Sequence, residues 1–283
     1  MITQIRNSLI ICVLCFLMGL FSCDIINPTE DIPSYIKVDT FTMKITDPIQ
    51  GSSSHNITDV WITIEGQKSG MFELPVILPI LRNGLTNIVL RPGIKHNDQM
   101  FIRLEHPYMN HYITDTVLTA GEILQLEPVI TYNSEAKFSW TENFESAGFN
   151  MITTNSDTSL VITSKNVLEG NYAGGIFLSG DNIYFDGQSP PMYVPANRGM
   201  ILLEFYYKNN YDFQVGVITN VSAYEYAVHL SPRDEWNKIS INIDNLIFGY
   251  TDATQFIVSF RALLTDFDQS AEIFIDNIKL IHF

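Results

Sequence analysis

The stretch Met200-Ile-Leu-Leu-Glu204-Phe-Tyr-Tyr-Lys208 decides the fold class. Ile201, Leu203, Phe205 and Tyr207 fall on one side of an extended chain and Leu202, Glu204, Tyr206 and Lys208 on the other, because successive side chains of a strand point to opposite faces. The same period of two recurs downstream, where Ile239, Ile241 and Ile243 alternate with Ser240, Asn242 and Asp244. It also appears far upstream. There Val60, Ile62 and Ile64 alternate with Trp61, Thr63 and Glu65, and Ile88 and Leu90 with Val89 and Arg91. No segment beyond the N-terminus carries the 3.6-residue period of a long amphipathic helix, so the expectation is an all-β protein.

Composition limits what such a protein does. Of 283 residues, 46% are hydrophobic, which is enough to bury a full core without disulfides. Acidic side chains number 31 against 16 basic ones, for a formal charge of −15, and the basic residues are scattered singly. A phosphate-binding surface needs clustered Lys and Arg, so nucleic acid is excluded as a partner.

Two units follow from the punctuation. From Pro33 to Tyr132, turns at Glu65-Gly-Gln-Lys-Ser-Gly70, Arg82-Asn83-Gly84 and Arg91-Pro92-Gly93 separate short strands at the spacing of a small β-sandwich. After the polar stretch Tyr132-Asn-Ser-Glu135, nine strand-like runs occupy residues 136–145, 159–164, 172–178, 200–208, 212–219, 224–230, 238–244, 255–264 and 272–281. Nine strands over 135–283 suit a double-sheet jelly roll better than an immunoglobulin-sized sandwich.

The N-terminal 22 residues read as an export signal. Thirteen almost purely apolar residues, Leu9 to Phe21, follow Arg6, and a helix of that length rises only about 20 Å, short of a hydrocarbon core of roughly 30 Å. Leu20-Phe21-Ser22-Cys23 resembles the lipobox of bacterial lipoproteins. That resemblance implies cleavage before Cys23 and attachment of a diacylglycerol and a further acyl chain there. It anchors the chain in a membrane, expected to be the outer membrane with the protein facing outward. Cys12 and Cys15 would leave with the signal, so the mature chain has no intramolecular disulfide. Residues 23–32, with Asn27-Pro-Thr-Glu-Asp31, form a polar tether.

Resemblances also cover the two units. Residues 60–93, with Gly70-Met-Phe-Glu-Leu-Pro75 and Leu85-Thr-Asn-Ile-Val-Leu90, loosely resemble PEGA-like immunoglobulin-fold modules, which makes 33–132 an immunoglobulin-like sandwich. In the second unit, Phe138-Ser-Trp-Thr-Glu-Asn-Phe144-Glu145, Glu169-Gly-Asn-Tyr-Ala-Gly174 and Ala271-Glu-Ile-Phe-Ile-Asp276-Asn-Ile-Lys-Leu280 resemble jelly-roll carbohydrate-binding modules. In that family a structural calcium ion clips the first strand to the last. The matching carboxylates here are Glu145 and Asp276, hard oxygen ligands of the kind Ca²⁺ takes. By period two Asp276 shares an otherwise apolar face with Phe274, Ile278 and Leu280, unless a bulge turns it out; a backbone-capping role is the alternative for it.

Sugar binding needs an aromatic platform beside polar groups. The outward-facing candidates are Tyr206, Tyr211, Tyr224, Tyr226 and Trp236. Hydrolysis has no support. No carboxylate pair sits in a recognisable motif, no nucleophile elbow or His-Glu-x-x-His is present, and the six histidines have no ligand spacing. The expectation is therefore a non-enzymatic, membrane-anchored envelope lipoprotein that presents a ligand-binding jelly roll to a polysaccharide. The alternative is a structural or accessory subunit of an envelope secretion, adhesion or motility complex that docks protein partners.

Overall fold

The computed structural model describes residues 30–98, 102–146, 148–195 and 199–283, together with the single residue 4. Cys23 and the apolar run before it lie outside the described residues. The protein is all-β, as the alternation predicts. Among the described residues no helix is long and apolar enough to cross a membrane.

The N-terminal unit contains β1 (Ser34–Val38), β2 (Thr42–Met43), β3 (Asp59–Ile64), β4 (Gln67–Glu73), β5 (Val76–Ile80), β6 (Gly84–Lys95), β7 (Arg103–Glu105), β8 (Tyr112–Leu118), β9 (Ile123–Leu126) and β10 (Val129–Ile130). One layer is the sheet β5-β1-β9 with the small pair β10-β2; the other is β4-β3-β6-β7, with β8 also on β6. Ile36 and Val38 of the first layer bury against Val60, Ile62, Ile88 and Leu90 of the second, the inward residues of the alternating runs. β3 turns into β4 on Glu65 and Gly66, both at positive φ (50° and 76°). That is the I′-type hairpin geometry, whose twist matches the strands it joins.

A turn at Arg91-Pro-Gly93 is not what forms; β6 runs straight through it. Along one edge β6 stays paired with β3, while on the other β8 stops opposite Leu90 and β7 starts opposite Gly93. Pro92, which has no N–H to offer, occupies the gap between the two partners, and its carbonyl accepts from the His106 amide at 2.7 Å. Gly93 is required by space, since a Cβ there would meet the Cβ of Asp59 at 2.9 Å.

The C-terminal unit contains β11 (Lys137–Glu142), β12 (Ile152–Thr153), β13 (Val161–Thr163), β14 (Ala173–Leu178), β15 (Tyr184–Gln188), β16 (Met192–Tyr193), β17 (Leu202–Asn209), β18 (Phe213–Thr219), β19 (Glu225–Leu230), β20 (Arg233–Asn242), the short helix α1 (Asp244–Phe248), β21 (Gln255–Leu263) and β22 (Ala271–His282). They form two sheets, β13-β14-β22-β17-β20 with β11 on β22, and β12-β15-β21-β18-β19 with β16 on β21. Leu203, Phe205 and Tyr207 of the first sheet meet Val215, Val217, Val258 and Phe260 of the second. The rings of Phe205 and Phe260 stand edge to face at 5.2 Å. Strands β12, β15 and β16 are additions to the nine predicted runs. In β15, Tyr184-Phe-Asp-Gly-Gln188, an acid and a glycine interrupt the apolar signal that a strand reading relies on.

The polar face of β17 does not meet water. It carries the N-terminal unit: Leu202 and Ile281 belong to that unit's core, and Glu204 is fully buried. Its carboxylate receives Lys238 Nζ at 2.9 Å, Ser240 Oγ at 2.9 Å and His106 Nε2 of the N-terminal unit at 3.1 Å. Burial alone would raise this carboxyl, but the Lys238 and His106 partners overcome it and hold it well below the ordinary range. Lys279 Nζ donates to the Ser52 carbonyl at 2.8 Å and the Asn242 amide to Asn97 Oδ1 at 2.9 Å, while Tyr108 Oη donates to the Met200 carbonyl. The two sandwiches are thus docked through a buried polar cluster.

A bulge in β22 sets which side chains take part. Asn277 lies at φ 50° and the register with β17 slips between Glu204 and Tyr206. Ile273, Ile275, Ile278 and Leu280 therefore all reach the C-terminal core. Asp276 is turned out of the apolar stripe that a strict period of two puts it on.

Candidate functional site

The outer face of the second C-terminal sheet holds an open groove of about 490 Å³. Three neighbouring strands supply its floor, with Asp186 of β15 opposite Arg261 of β21 and Arg261 opposite Gln214 of β18. Asp186 is 4% exposed, and its carboxylate accepts from Arg261 Nε at 2.9 Å and from Ser259 Oγ at 2.8 Å. A second guanidinium nitrogen of Arg261 lies 2.8 Å from Asp186 Oδ2, so the planar cation is clamped in one orientation.

Tyr224 closes over this floor. Its ring centroid is 3.8 Å from the guanidinium carbon of Arg261. It lies above Gly216, where a Cβ would come 2.5 Å from two ring carbons and 2.4 Å from the Glu225 carbonyl oxygen, so no larger residue fits beneath it. Burial pushes the Tyr224 phenol up to about 12, against the pull of the Arg261 charge, and its Oη has no hydrogen-bond partner among the described residues. Tyr211 forms the opposite wall, its hydroxyl fixed by Thr265 Oγ1 at 3.0 Å and by the Thr265 amide at 3.1 Å. Tyr184 also lines the groove, and burial raises its phenol. Asp212 and His229 face each other at 3.5 Å on its open side. The groove thus combines three tyrosine rings with a fixed cation and further polar side chains along its lining.

Of the aromatics expected outside, Tyr211 and Tyr224 come together here. Tyr226 stands exposed on β19 without lining the groove, and Trp236 is half-buried on β20, in the other sheet. Tyr206 is corrected more sharply. It is 8% exposed, on the sheet face the N-terminal unit covers, with Lys238 Nζ 5.8 Å from its ring. Tyr184, Asp186, Gln214 and Arg261 were not singled out in the sequence. The one signal for them is Arg261, a lone cation in the apolar strand Gln255-Phe-Ile-Val-Ser-Phe-Arg-Ala-Leu263.

The two carboxylates matched to a calcium clip have different surroundings. Glu145 Oε1 accepts the amides of Asn171 at 2.8 Å and Tyr172 at 2.9 Å, which hold its carboxyl below the usual range. Its side chain packs onto Gly170, whose Cβ would fall 2.4 Å from Oε1. Asp276 is 1% exposed; Oδ1 accepts the Asn277 amide at 2.8 Å and Oδ2 has no partner among the described residues. Burial, followed by the charges of Glu169 and Glu145, pushes the Asp276 carboxyl up to about 7, against the lowering effect of the Asn277 amide. A buried carboxylate oxygen without a donor, in the field of two further carboxylates, fits a cation at Asp276; the oxygens of Glu145 are engaged by the loop amides. Among the described residues no three His, Cys, Asp or Glu side chains are grouped to hold a metal.

No family model matches the chain, and no curated protein matches it. Solved structures do. The carbohydrate-binding module TmCBM61 in complex with β-1,4-galactotriose is 16% identical, with a TM-score of 0.29 over 52% of this chain and 88% of that one. A family 29 carbohydrate-binding module is 14% identical, with a TM-score of 0.35 over 52% of this chain and 88% of that one. The family 11 module from Clostridium thermocellum, in complex with a β-1,3-1,4-mixed-linked tetrasaccharide, is 17% identical, with a TM-score of 0.34 over 51% of this chain and 94% of that one. The chemistry of the groove rests on its own residues.

Proposed function

We propose that the protein is a non-enzymatic lipoprotein of the bacterial cell envelope, anchored in the outer membrane through acyl chains on Cys23 and facing outward, that holds glycan in the groove of its C-terminal sandwich. The observation that carries this reading is the union of tyrosine walls with a clamped polar floor. A sugar ring has an apolar C–H face that packs on an aromatic ring and a rim of hydroxyls that need donors and acceptors. Tyr184, Tyr211 and Tyr224 answer the first need; Arg261, Gln214, Asp212 and His229 answer the second. The groove's size of about 490 Å³ lies within the range of small-molecule sites.

Retention on a panel of immobilised polysaccharides tests the reading. Tyr211→Ala and Tyr224→Ala are expected to lose retention, whereas Tyr226→Ala and Trp236→Ala, outside the groove, retain it. If the unaltered protein passes through every column, glycan capture is overturned, and cross-linking in cells to find a protein partner becomes the next step.

The calcium ion that the resemblance to jelly-roll modules implies would be held by Asp276, with Glu145 and Glu169 contributing negative charge. It would relieve the burial of an unpartnered carboxylate and tie β22 to the loop before β14. Addition of chelator is expected to lower the melting temperature of the protein and to leave that of Asp276→Asn unchanged. Equal melting curves with and without chelator for the unaltered protein would remove calcium from the account.

A further inference from the structure

We infer that the end of the N-terminal sandwich at which the chain arrives from Cys23 is a docking surface for zwitterionic lipid. This rests on the proposed lipidation of Cys23 and adds to it a second, non-covalent membrane contact and an orientation for the whole molecule.

The observation is a ring of large, exposed apolar side chains drawn from the strand ends and connections at one end of the N-terminal sandwich. The connection from β5 to β6 is Leu81-Arg-Asn83, followed by Gly84 and Leu85 at the start of β6. Connections between strands that face water are normally polar, yet in this one, which crosses from one layer to the other, Leu81 is 74% exposed, and Leu85 just after it is 70% exposed. Val117 is 63% exposed directly opposite Leu85 on β8. Ile123, at the start of β9, is 57% exposed and Ile32, before β1, 64%. These residues belong to both layers and converge because the connections between strands converge. The Gly121 amide donates to the Pro33 carbonyl at 2.8 Å, the Tyr35 amide donates to the Glu122 carbonyl at 2.9 Å, and Ser34 Oγ donates to the Arg82 carbonyl at 2.9 Å.

Three arguments select lipid as the occupant. First, Pro33 lies only ten positions after Cys23, so a chain anchored at Cys23 keeps this end within about 35 Å of the bilayer even if fully extended. Second, β6 starts in this ring and runs twelve residues, about 40 Å, to Lys95 beside the C-terminal sandwich. Seating the ring in the membrane therefore points the C-terminal sandwich away from it. Third, the charges around the ring suit an uncharged interface. Arg82 is partnered by Glu65 at 3.7 Å, and Glu30, Asp31 and Glu122 add negative charge that anionic headgroups would repel.

The full chain, lipidated and reconstituted in phosphatidylcholine vesicles, provides the test. Variants Leu85→Cys and Val117→Cys carry an environment-sensitive fluorophore, with Asp181→Cys in the C-terminal unit as the control, and brominated acyl chains act as quencher. The expected result is quenching at positions 85 and 117 and none at 181, lost on adding Leu81→Asp while the protein still co-sediments with vesicles. Replacing part of the phosphatidylcholine by phosphatidylglycerol is expected to weaken the quenching. Co-sedimentation without quenching at 85 and 117 overturns the docking surface and leaves the anchor standing. Failure to co-sediment overturns the anchor and, with it, the docking that depends on it.

Discussion

Glu204→Ala is expected to destabilise the protein by about 3–5 kcal/mol, measured by chemical denaturation at neutral pH. The loss does not come from the missing carboxylate alone. Lys238 is 5% exposed at its side chain and has Glu204 as its anionic partner at 2.9 Å, so removal strands an ammonium ion between two sandwiches. Ser240 and His106 lose an acceptor in the same place. Glu204→Gln keeps acceptor capacity and loses the charge, and is expected to fall between the two. The interaction also sets a pH dependence. The folded-state carboxyl lies below its unfolded value of about 4.3, so its contribution is present above that pH and disappears as pH falls through the lower folded value. A loss under 1 kcal/mol for Glu204→Ala would mean that the units are held by their apolar contacts and that the polar cluster adds nothing.

Arg261→Ala is expected to abolish polysaccharide retention and to cost about 2 kcal/mol of stability, the scale of a charge-assisted hydrogen bond, since the guanidinium is itself partly exposed. Two supports fail together: Asp186 is left buried without its cation, and Tyr224 loses the flat surface beneath its ring. Arg261→Lys separates these roles. An ammonium can answer the Asp186 charge but cannot present two fixed nitrogens to it while stacking on Tyr224, so stability should recover in part and retention should not. Full retention by Arg261→Ala would place the ligand elsewhere than this groove.

Strands were legible because their signal is local. Val60, Ile62, Ile88 and Leu90, and Leu203, Phe205 and Tyr207, are buried as their alternation predicts. What the other face of such a strand meets is not local. Glu204 and Tyr206 read as solvent-facing, yet a second sandwich covers them, and one left-handed residue, Asn277, moved Asp276 off the stripe that period two assigns it. The groove was half legible. Tyr211 and Tyr224 were named, but their partners Tyr184, Asp186 and Arg261 come from strands far apart in the chain, and the register that aligns those strands leaves no mark in any one of them.

The sequence by itself therefore determined the all-β class, the inward residues of each long strand and the net acidic charge. Only the tertiary structure decided which polar face became an interface, that Asp276 keeps a buried oxygen without a donor among the described residues, and which tyrosines share a groove. The physical reason is that alternation is a property of successive bonds along one chain, whereas burial, pairing and shared sites depend on which distant strand lies alongside.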